Sequence, residues 1–208
     1  YLPKKIVVRE YSSGKEITQI PINIKKPNEL ITTDRRDLIK VLLKSYENRG
    51  GIVETSCPVS SINLDKKQLI FSDNKIKSVG VVLACDGIKS KARHQHFDDS
   101  EPEFTNFLAW RGISKVKDLP KFKDIQEINI YYGPKGHVVH YPIGVEGKVN
   151  FVGIKESRKW TRESWKEEGK KEELLEDFFN WNQDLLRLMT APDKIFKWGI
   201  FERPKINS

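Results

Sequence analysis

A chain of 208 residues with 38% hydrophobic and 10% aromatic side chains carries enough apolar material for a packed core, which excludes an intrinsically disordered protein. Its 37 basic against 29 acidic side chains leave a formal charge of +8, an excess that suits an anionic partner or cofactor and also serves plain solubility. The longest apolar run, Val79 to Cys85, is far too short for a bilayer span; Cys57 and Cys85 lie outside any CxxC spacing, and without HExxH no metal site is expected.

In chain order, the β-rich runs Ile6-Val7-Val8 and Ile17 to Ile22 flank Ser12-Ser13-Gly14-Lys15 and predict a hairpin. Pro27-Asn28 breaks the chain. Thr32-Thr33-Asp34 then offers N-caps for a helix whose apolar face is Leu38, Ile39, Leu42, Leu43 and Tyr46, and Gly50-Gly51 ends it. Short β-rich runs follow at Gly51 to Val53, Ile62 to Leu64 and Gln68 to Phe71. The run Ser78 to Ala84 is nearly all apolar, as in a strand buried on both faces of a mostly parallel sheet. It leads into Asp86-Gly87-Ile88-Lys89-Ser90-Lys91-Ala92-Arg93, which reads as a loop entering a short helix.

Beyond His96 the texture changes. Phe107 to Ile113, Ile128 to Tyr132, His137 to Ile143 and Lys148 to Ile154 read as strands joined by Gly/Pro-containing turns, which favours an antiparallel sheet. Thr161 to Met189 reads as helical. The expected fold is therefore α/β with α+β elements: an α/β portion over 1–97 beside a mainly antiparallel sheet with helices over 98–208. The chain opens on Tyr1-Leu2-Pro3-Lys4, with neither Met nor a basic-then-apolar leader. That reads as a processed product or a piece of something longer, cytoplasmic by default.

Three places carry candidate chemistry. Asp86 falls at the carboxyl end of the apolar run, where open α/β sheets bind ligands. Gly87 beside it lets a backbone come close, and Arg93 offers a fork of donors for a diphosphate. An Asp-Gly turn with a solvated arginine would leave the same residues. Arg35 lies near a helix N-terminus, where the macrodipole disfavours a cation unless an anion is close; a surface arginine offset by Asp34 and Asp37 is the alternative. On the strand from His137, a period of two puts His137, Val139 and Tyr141 on one face and Val138 and His140 on the other, and either histidine could accept a proton or simply be packed.

Taken together and in order, these segments resemble the class A flavoprotein monooxygenases, in particular the salicylate hydroxylase-like aromatic hydroxylases. Thr33-Asp34-Arg35-Arg36-Asp37-Leu38 is similar to that family's HRxDL pattern, and Val82 to Arg93 to its GADGxxSxxR pattern. Ala109-Trp110-Arg111-Gly112 resembles the aWRG strand. Gly133 to Pro142 followed by Val149 to Gly153 resembles the GPxxHxVxYP…xNFV hairpin. Trp160 with Glu163-Ser164-Trp165 resembles the W…ESW stretch. Asp34 stands where the family pattern has His, and Ala84-Cys85 where it has Gly-Ala. GxGxxG and the GDAAH motif have no counterpart, which implies the middle of a longer enzyme that binds FAD poorly by itself.

The resemblance implies an incomplete FAD-binding, Rossmann-like domain over 1–97 and a substrate-binding sheet domain with C-terminal helices over 98–208. It implies hydroxylation of a phenolic or benzoate-type aromatic with FAD, NADH or NADPH, and O2. Arg35, Asp86, Gly87 and Arg93 would contact or support the cofactor. His137, Tyr141 and Phe151 would line the substrate side of the sheet, with His140 as the alternative base. Two other readings stay open: an oxidoreductase or epoxidase of the same fold on a non-aromatic substrate, and a basic module binding nucleic acid. The second has only the net charge behind it, since the basic residues are scattered among acids.

Overall fold

The computed structural model describes residues 1–22, 30–122, 124–144, 147–157 and 167–206. In chain order its elements are β1 (Lys5–Glu10), β2 (Glu16–Pro21), α1 (Arg35–Glu47), β3 (Val59–Asn63), β4 (Gln68–Phe71), β5 (Ile76–Ser78), α2 (Lys91–His96) and β6 (Glu103–Lys115). There follow β7 (Ile128–Gly133), β8 (Gly136–Pro142), β9 (Lys148–Glu156), α3 (Lys171–Asp177), α4 (Gln183–Thr190) and β10 (Phe196–Glu202). Contacts divide the chain into two compact units that interleave in sequence: Tyr1–Val41 with Asn106–Ile200, and Leu42–Thr105 with Phe201–Ser208.

The first unit is built on a seven-stranded sheet of order β10-β6-β9-β8-β7-β1-β2. The strands expected after His96 all form, and β6-β9, β9-β8 and β8-β7 pair antiparallel. The N-terminal hairpin also forms, but β1 runs parallel to β7 with Val8 opposite Ile130. This pairing puts the hairpin in the large sheet, so the unit boundary does not follow the expected division after residue 97.

One face of this sheet carries the core. Trp110, Val138 and Phe151 cluster with Leu174, Phe178, Leu185, Leu188 and Met189 of α3, α4 and their junction. Apolar side chains at helical spacing on α3 and α4 require such a partner face. Three polar contacts fix the docking: Trp110 Nε1 donates to Asp177 at 2.8 Å, Ser114 Oγ donates to the Leu188 carbonyl at 2.6 Å, and Asn182 caps α4 by accepting from Leu185 N–H. A Cβ on Gly153 would stand 2.7 Å from the Phe178 ring, so only glycine lets this helix approach the sheet. The expected helical tail is thus two short helices broken between Phe178 and Asn182, where Asn180 takes φ +65°. Residues 158–166, including Trp160 and Glu163-Ser164-Trp165, lie outside the described residues, as do Pro27-Asn28.

The second unit holds a three-stranded antiparallel sheet, β3-β4-β5. Its short helix α2 docks on β3 through Gln95, whose amide bonds both the N–H and the carbonyl of Ile62. The strands expected at Gly51 to Val53 and Ser78 to Ala84 do not form beyond Ser78, and Val81 and Leu83 are 81% and 85% exposed. Among the described residues no neighbouring strand pairs with these runs; apolar composition alone does not make a ladder. Helix α1 forms as expected, ending at Gly50 with φ +83°, yet none of its residues is buried. Among the described residues no helix is long and apolar enough to cross a membrane.

Candidate functional site

The start of α1 is placed over the open face of the large sheet by local chemistry. Thr32 Oγ1 donates to the Pro142 carbonyl at 2.6 Å, tying the residues before α1 to the end of β8. Asp34 then caps the helix: its carbonyl accepts from Leu38 N–H and its carboxylate accepts from Arg36 N–H at 2.9 Å. The same carboxylate takes the Arg36 guanidinium in a two-pronged pair, Nε to Oδ1 at 3.1 Å and Nη2 to Oδ2 at 2.8 Å. The Arg36 side-chain bond, followed by its backbone N–H, holds the Asp34 carboxyl well below the usual range. The acid standing where the family pattern has His is therefore occupied by Arg36. Arg35 has no ion pair among the described residues and stays exposed.

Residues directly opposite on paired strands share a face. Tyr141 pairs with Asn150, which pairs with Ile113; two residues away, Val139, Val152 and Arg111 line up in the same way. Of these, Arg111, Ile113, Tyr141 and Asn150 line a cleft of about 230 Å³ together with Ile143 and with Thr33, Asp34, Arg35 and Arg36 from the start of α1. A larger cavity of about 440 Å³ shares Arg111 and Ile113 with it and is otherwise lined by Pro192, Phe196 and Trp198 among others. Arg111 Nε donates to Asn150 Oδ1 at 3.3 Å. Asn150 is 1% exposed, and its Nδ2 finds no partner among the described residues. The cleft offers guanidinium and amide donors, with the Asp34 carboxylate already held by Arg36, next to a cavity that carries Phe196 and Trp198 together with Asp193 and Lys194.

The expected site residues fall into separate groups. Arg35 and Tyr141 meet in the cleft. His137 shares the Tyr141 face by alternation, is half-buried, lies 5.8 Å from the Tyr132 ring centre, and has its pKa lowered by burial. His140 points into the opposite face, 1% exposed between the rings of Phe122 and Tyr131, and burial followed by the Arg9 charge pushes it down to about 3. Phe151 pairs with His140 and is fully buried, so the expectation that it shares a face with His137 and Tyr141 is corrected: Asn150 is the β9 residue on that face.

In the other unit, Asp86 accepts from Ala92 N–H at 3.3 Å, and its carboxyl is held low by the Ser90 hydroxyl first. Gly87 takes φ +79° with nothing within 4 Å of an added Cβ, and its carbonyl accepts from Ser90 N–H at 3.1 Å. Arg93 is turned inward, its Nη2 donating to Asp98 at 2.8 Å and to the Pro204 carbonyl, so it braces the loop. Arg111 and Asn150 were not singled out from sequence. Alternation with Trp110 marks Arg111 as facing away from the core, whereas Asn150 needs the strand register.

Arg35, exposed and without an ion pair among the described residues, has the chemistry to hold an anion such as a phosphate. No protein-family model matches the chain. It is 32% identical over 171 residues to 3-amino-4-hydroxybenzoate 2-monooxygenase PtnB3 of Streptomyces platensis, covering 81% of this chain and 42% of that one. It is 30% identical over 167 residues to salicylate hydroxylase asL1 of Sarocladium schorii, covering 73% of this chain and 35% of the relative. A crystal structure of CtdE with FAD and a substrate superposes with a TM-score of 0.80 at 17% identity, over 96% of this chain and 52% of that one. The structural likeness establishes the fold. The chain spans less than half the length of these two relatives.

Proposed function

The homologues of this chain are salicylate hydroxylase-like FAD-dependent monooxygenases, and on that footing we propose that the complete protein hydroxylates a phenolic or benzoate-type aromatic using FAD, NADH or NADPH, and O2. The observation that carries this reading is Arg111, which lines both the cleft with guanidinium and amide donors and the larger cavity that carries Phe196 and Trp198. The relatives' names specify hydroxybenzoates, small planar rings whose dimensions and charge suit those two spaces.

FAD, when bound, would pass the electrons of NADH or NADPH to O2 and so activate it. This chain's own residues bind, orient and shield. Arg35 is assigned to a phosphate of FAD, since its charge has no partner among the described residues. For Asp86, Gly87 and Arg93 the assignment rests on their motif: Gly87 offers the backbone approach, while Asp86 and Arg93 hold the loop that presents it. The His137 imidazole, its pKa lowered by burial, is assigned to accept the phenol proton, and the Tyr141 hydroxyl to hydrogen-bond the substrate oxygen. His140 is buried away from that face. Small molecules rather than nucleic acid are the proposed partners. Cys57 and Cys85 are free and exposed, as suits the reducing cytoplasm in which we place the enzyme.

The test is made on the complete protein. It should purify with the absorbance of bound flavin, and hydroxybenzoates should stimulate NAD(P)H oxidation with one oxygen added to the ring by mass spectrometry. Flavin-free protein, or oxidation that no phenol stimulates, would refute the proposal.

A further inference from the structure

We infer that Arg203 is a positioning residue for FAD: it clasps the loop that carries Gly87 and so sets the backbone that meets the cofactor. This reading rests on the function proposed above and adds to it a residue outside the Asp86 to Arg93 motif. Arg203 follows β10 and is half-buried, in the same compact unit as the loop. Its Nε donates to the Ile88 carbonyl, and its Nη1 donates to the Ser100 carbonyl at 2.7 Å. One guanidinium thus ties a residue ahead of α2 to a residue behind it. The group is planar and rigid, so its two donors fix both carbonyls relative to one another.

The bonds close on themselves. Ser100 donates to the Asp98 carboxylate twice, from Oγ at 2.6 Å and from its N–H at 2.9 Å, and Arg93 Nη2 donates to the same carboxylate at 2.8 Å. Arg93 Nη2 also donates to the carbonyl of Pro204, next to Arg203. The circuit Arg203, Ser100, Asp98, Arg93, Pro204 is therefore continuous. The Arg93 side chain first, and Ser100 after it, holds the Asp98 carboxyl well below its usual range, so the circuit keeps its charge.

What the circuit holds has few other ties. The run from Val81 to Cys85 that leads into the loop pairs with no strand among the described residues, and Gly87 takes φ +79°. Short-range bonds shape the turn itself: the Gly87 carbonyl accepts from Ser90 N–H, and Ser90 Oγ accepts from Arg93 N–H as the cap of α2. A trans peptide points its N–H opposite to its carbonyl, so tying the Gly87 carbonyl to Ser90 turns the Ile88 N–H the other way. That N–H has no acceptor among the described residues. Backbone donors held in such a turn suit an oxygen of the FAD diphosphate, and Arg203 holds the very next carbonyl.

The experiment uses the complete protein stripped of flavin. Arg203→Met keeps the aliphatic stem and loses the donors, whereas Arg203→Lys keeps the charge and lacks the fork. Fluorescence titration gives the Kd for FAD, calorimetry the thermal midpoint, and hydrogen exchange the protection of the loop amides. Arg203→Met should raise the FAD Kd about 10- to 100-fold, the range of a lost charge-assisted hydrogen bond, and Arg203→Lys about 3- to 10-fold. Exchange in the loop should quicken in the same order. Lys77→Met, which breaks an exposed ion pair with Glu54 in the same unit, should leave the Kd within about twofold. Where Arg203→Met does not fold, Arg203→Lys decides on the same measurements. An unchanged Kd, with or without a lower midpoint, means that Arg203 serves the fold alone and overturns the inference; the flavoprotein reading stands, because the wild type binds FAD. A wild type that binds no FAD overturns both.

Discussion

Tyr141 on β8 stands directly across from Asn150 on β9, and one step along each strand His140 stands across from Phe151. The first pair faces the cleft and the second the core, so neighbouring residues have different tasks. Removing the ring in Phe151→Ala is expected to cost about 3–5 kcal/mol of stability, as for other buried aromatics. Tyr141→Phe keeps the ring and should change stability by less than about 0.5 kcal/mol, while lowering kcat/KM for phenols. Urea denaturation and steady-state kinetics on the complete protein separate the two; a large stability loss in Tyr141→Phe would place its hydroxyl in a structural network instead.

A buried, neutral His140 makes stability depend on pH in a definite direction. Its folded pKa, about 3, lies below the ordinary 6.5. Between those values the unfolded chain binds a proton that the folded one refuses, so stability is lost as pH falls below 6.5 toward 3. Replacing the imidazole by an apolar ring in His140→Phe removes this contribution. The decline of thermal midpoint between pH 7 and pH 5 should be shallower in the variant. Parallel declines would mean that His140 is protonated in the folded state after all.

What could be read along the chain was what local chemistry decides. The Ser12 to Lys15 turn closes its hairpin, Asp34 caps α1, and alternation on β8 separates His137 and Tyr141 from Val138 and His140. What could not be read was anything set by a partner. Phase between β8 and β9 depends on how many residues the turn between them consumes, and one step of phase separates Asn150 from Phe151. The run through Val81 and Leu83 has the composition of a buried strand, but no strand lies beside it among the described residues. Arg111 was within reach, since its neighbour Trp110 is the most bulky core residue of β6 and adjacent residues face opposite ways.

Glycines separate close packing from backbone conformation. At Gly153 an added Cβ would meet Phe178 at 2.7 Å and Met189 at 3.0 Å, so Gly153→Ala must push α3 off the sheet and is expected to cost about 1–3 kcal/mol. At Gly87 there is open space but φ is +79°, and Gly87→Ala is expected to cost about 1 kcal/mol through the backbone alone. The sharper contrast is in the companion residue: truncating Phe178 to Leu should partly rescue the first variant and leave the second unchanged. Denaturant midpoints of the single and double variants measure this; absence of any rescue would mean that the clash is relieved elsewhere.

Arg35 and Arg36 are adjacent and carry the same charge, yet among the described residues only Arg36 has an ion pair. Arg36 spends its guanidinium on both oxygens of Asp34, so its field beyond that pair is largely cancelled. Arg35 has no such partner, and a cation at a helix N-terminus is stabilised only when an anion comes to it. If a phosphate of FAD is that anion, Arg35→Gln in the complete protein should weaken FAD about 10- to 100-fold, the value of a charge-assisted hydrogen bond. Arg36→Gln should weaken it less than about threefold, because the charge it removes is already balanced. Fluorescence titration of the flavin-stripped protein with FAD at two salt concentrations makes the comparison, and the wild-type affinity should also fall with salt while that of Arg35→Gln falls less. Equal effects of the two substitutions would assign the loss to general charge at the start of α1, and Arg35 would have no special claim on the cofactor.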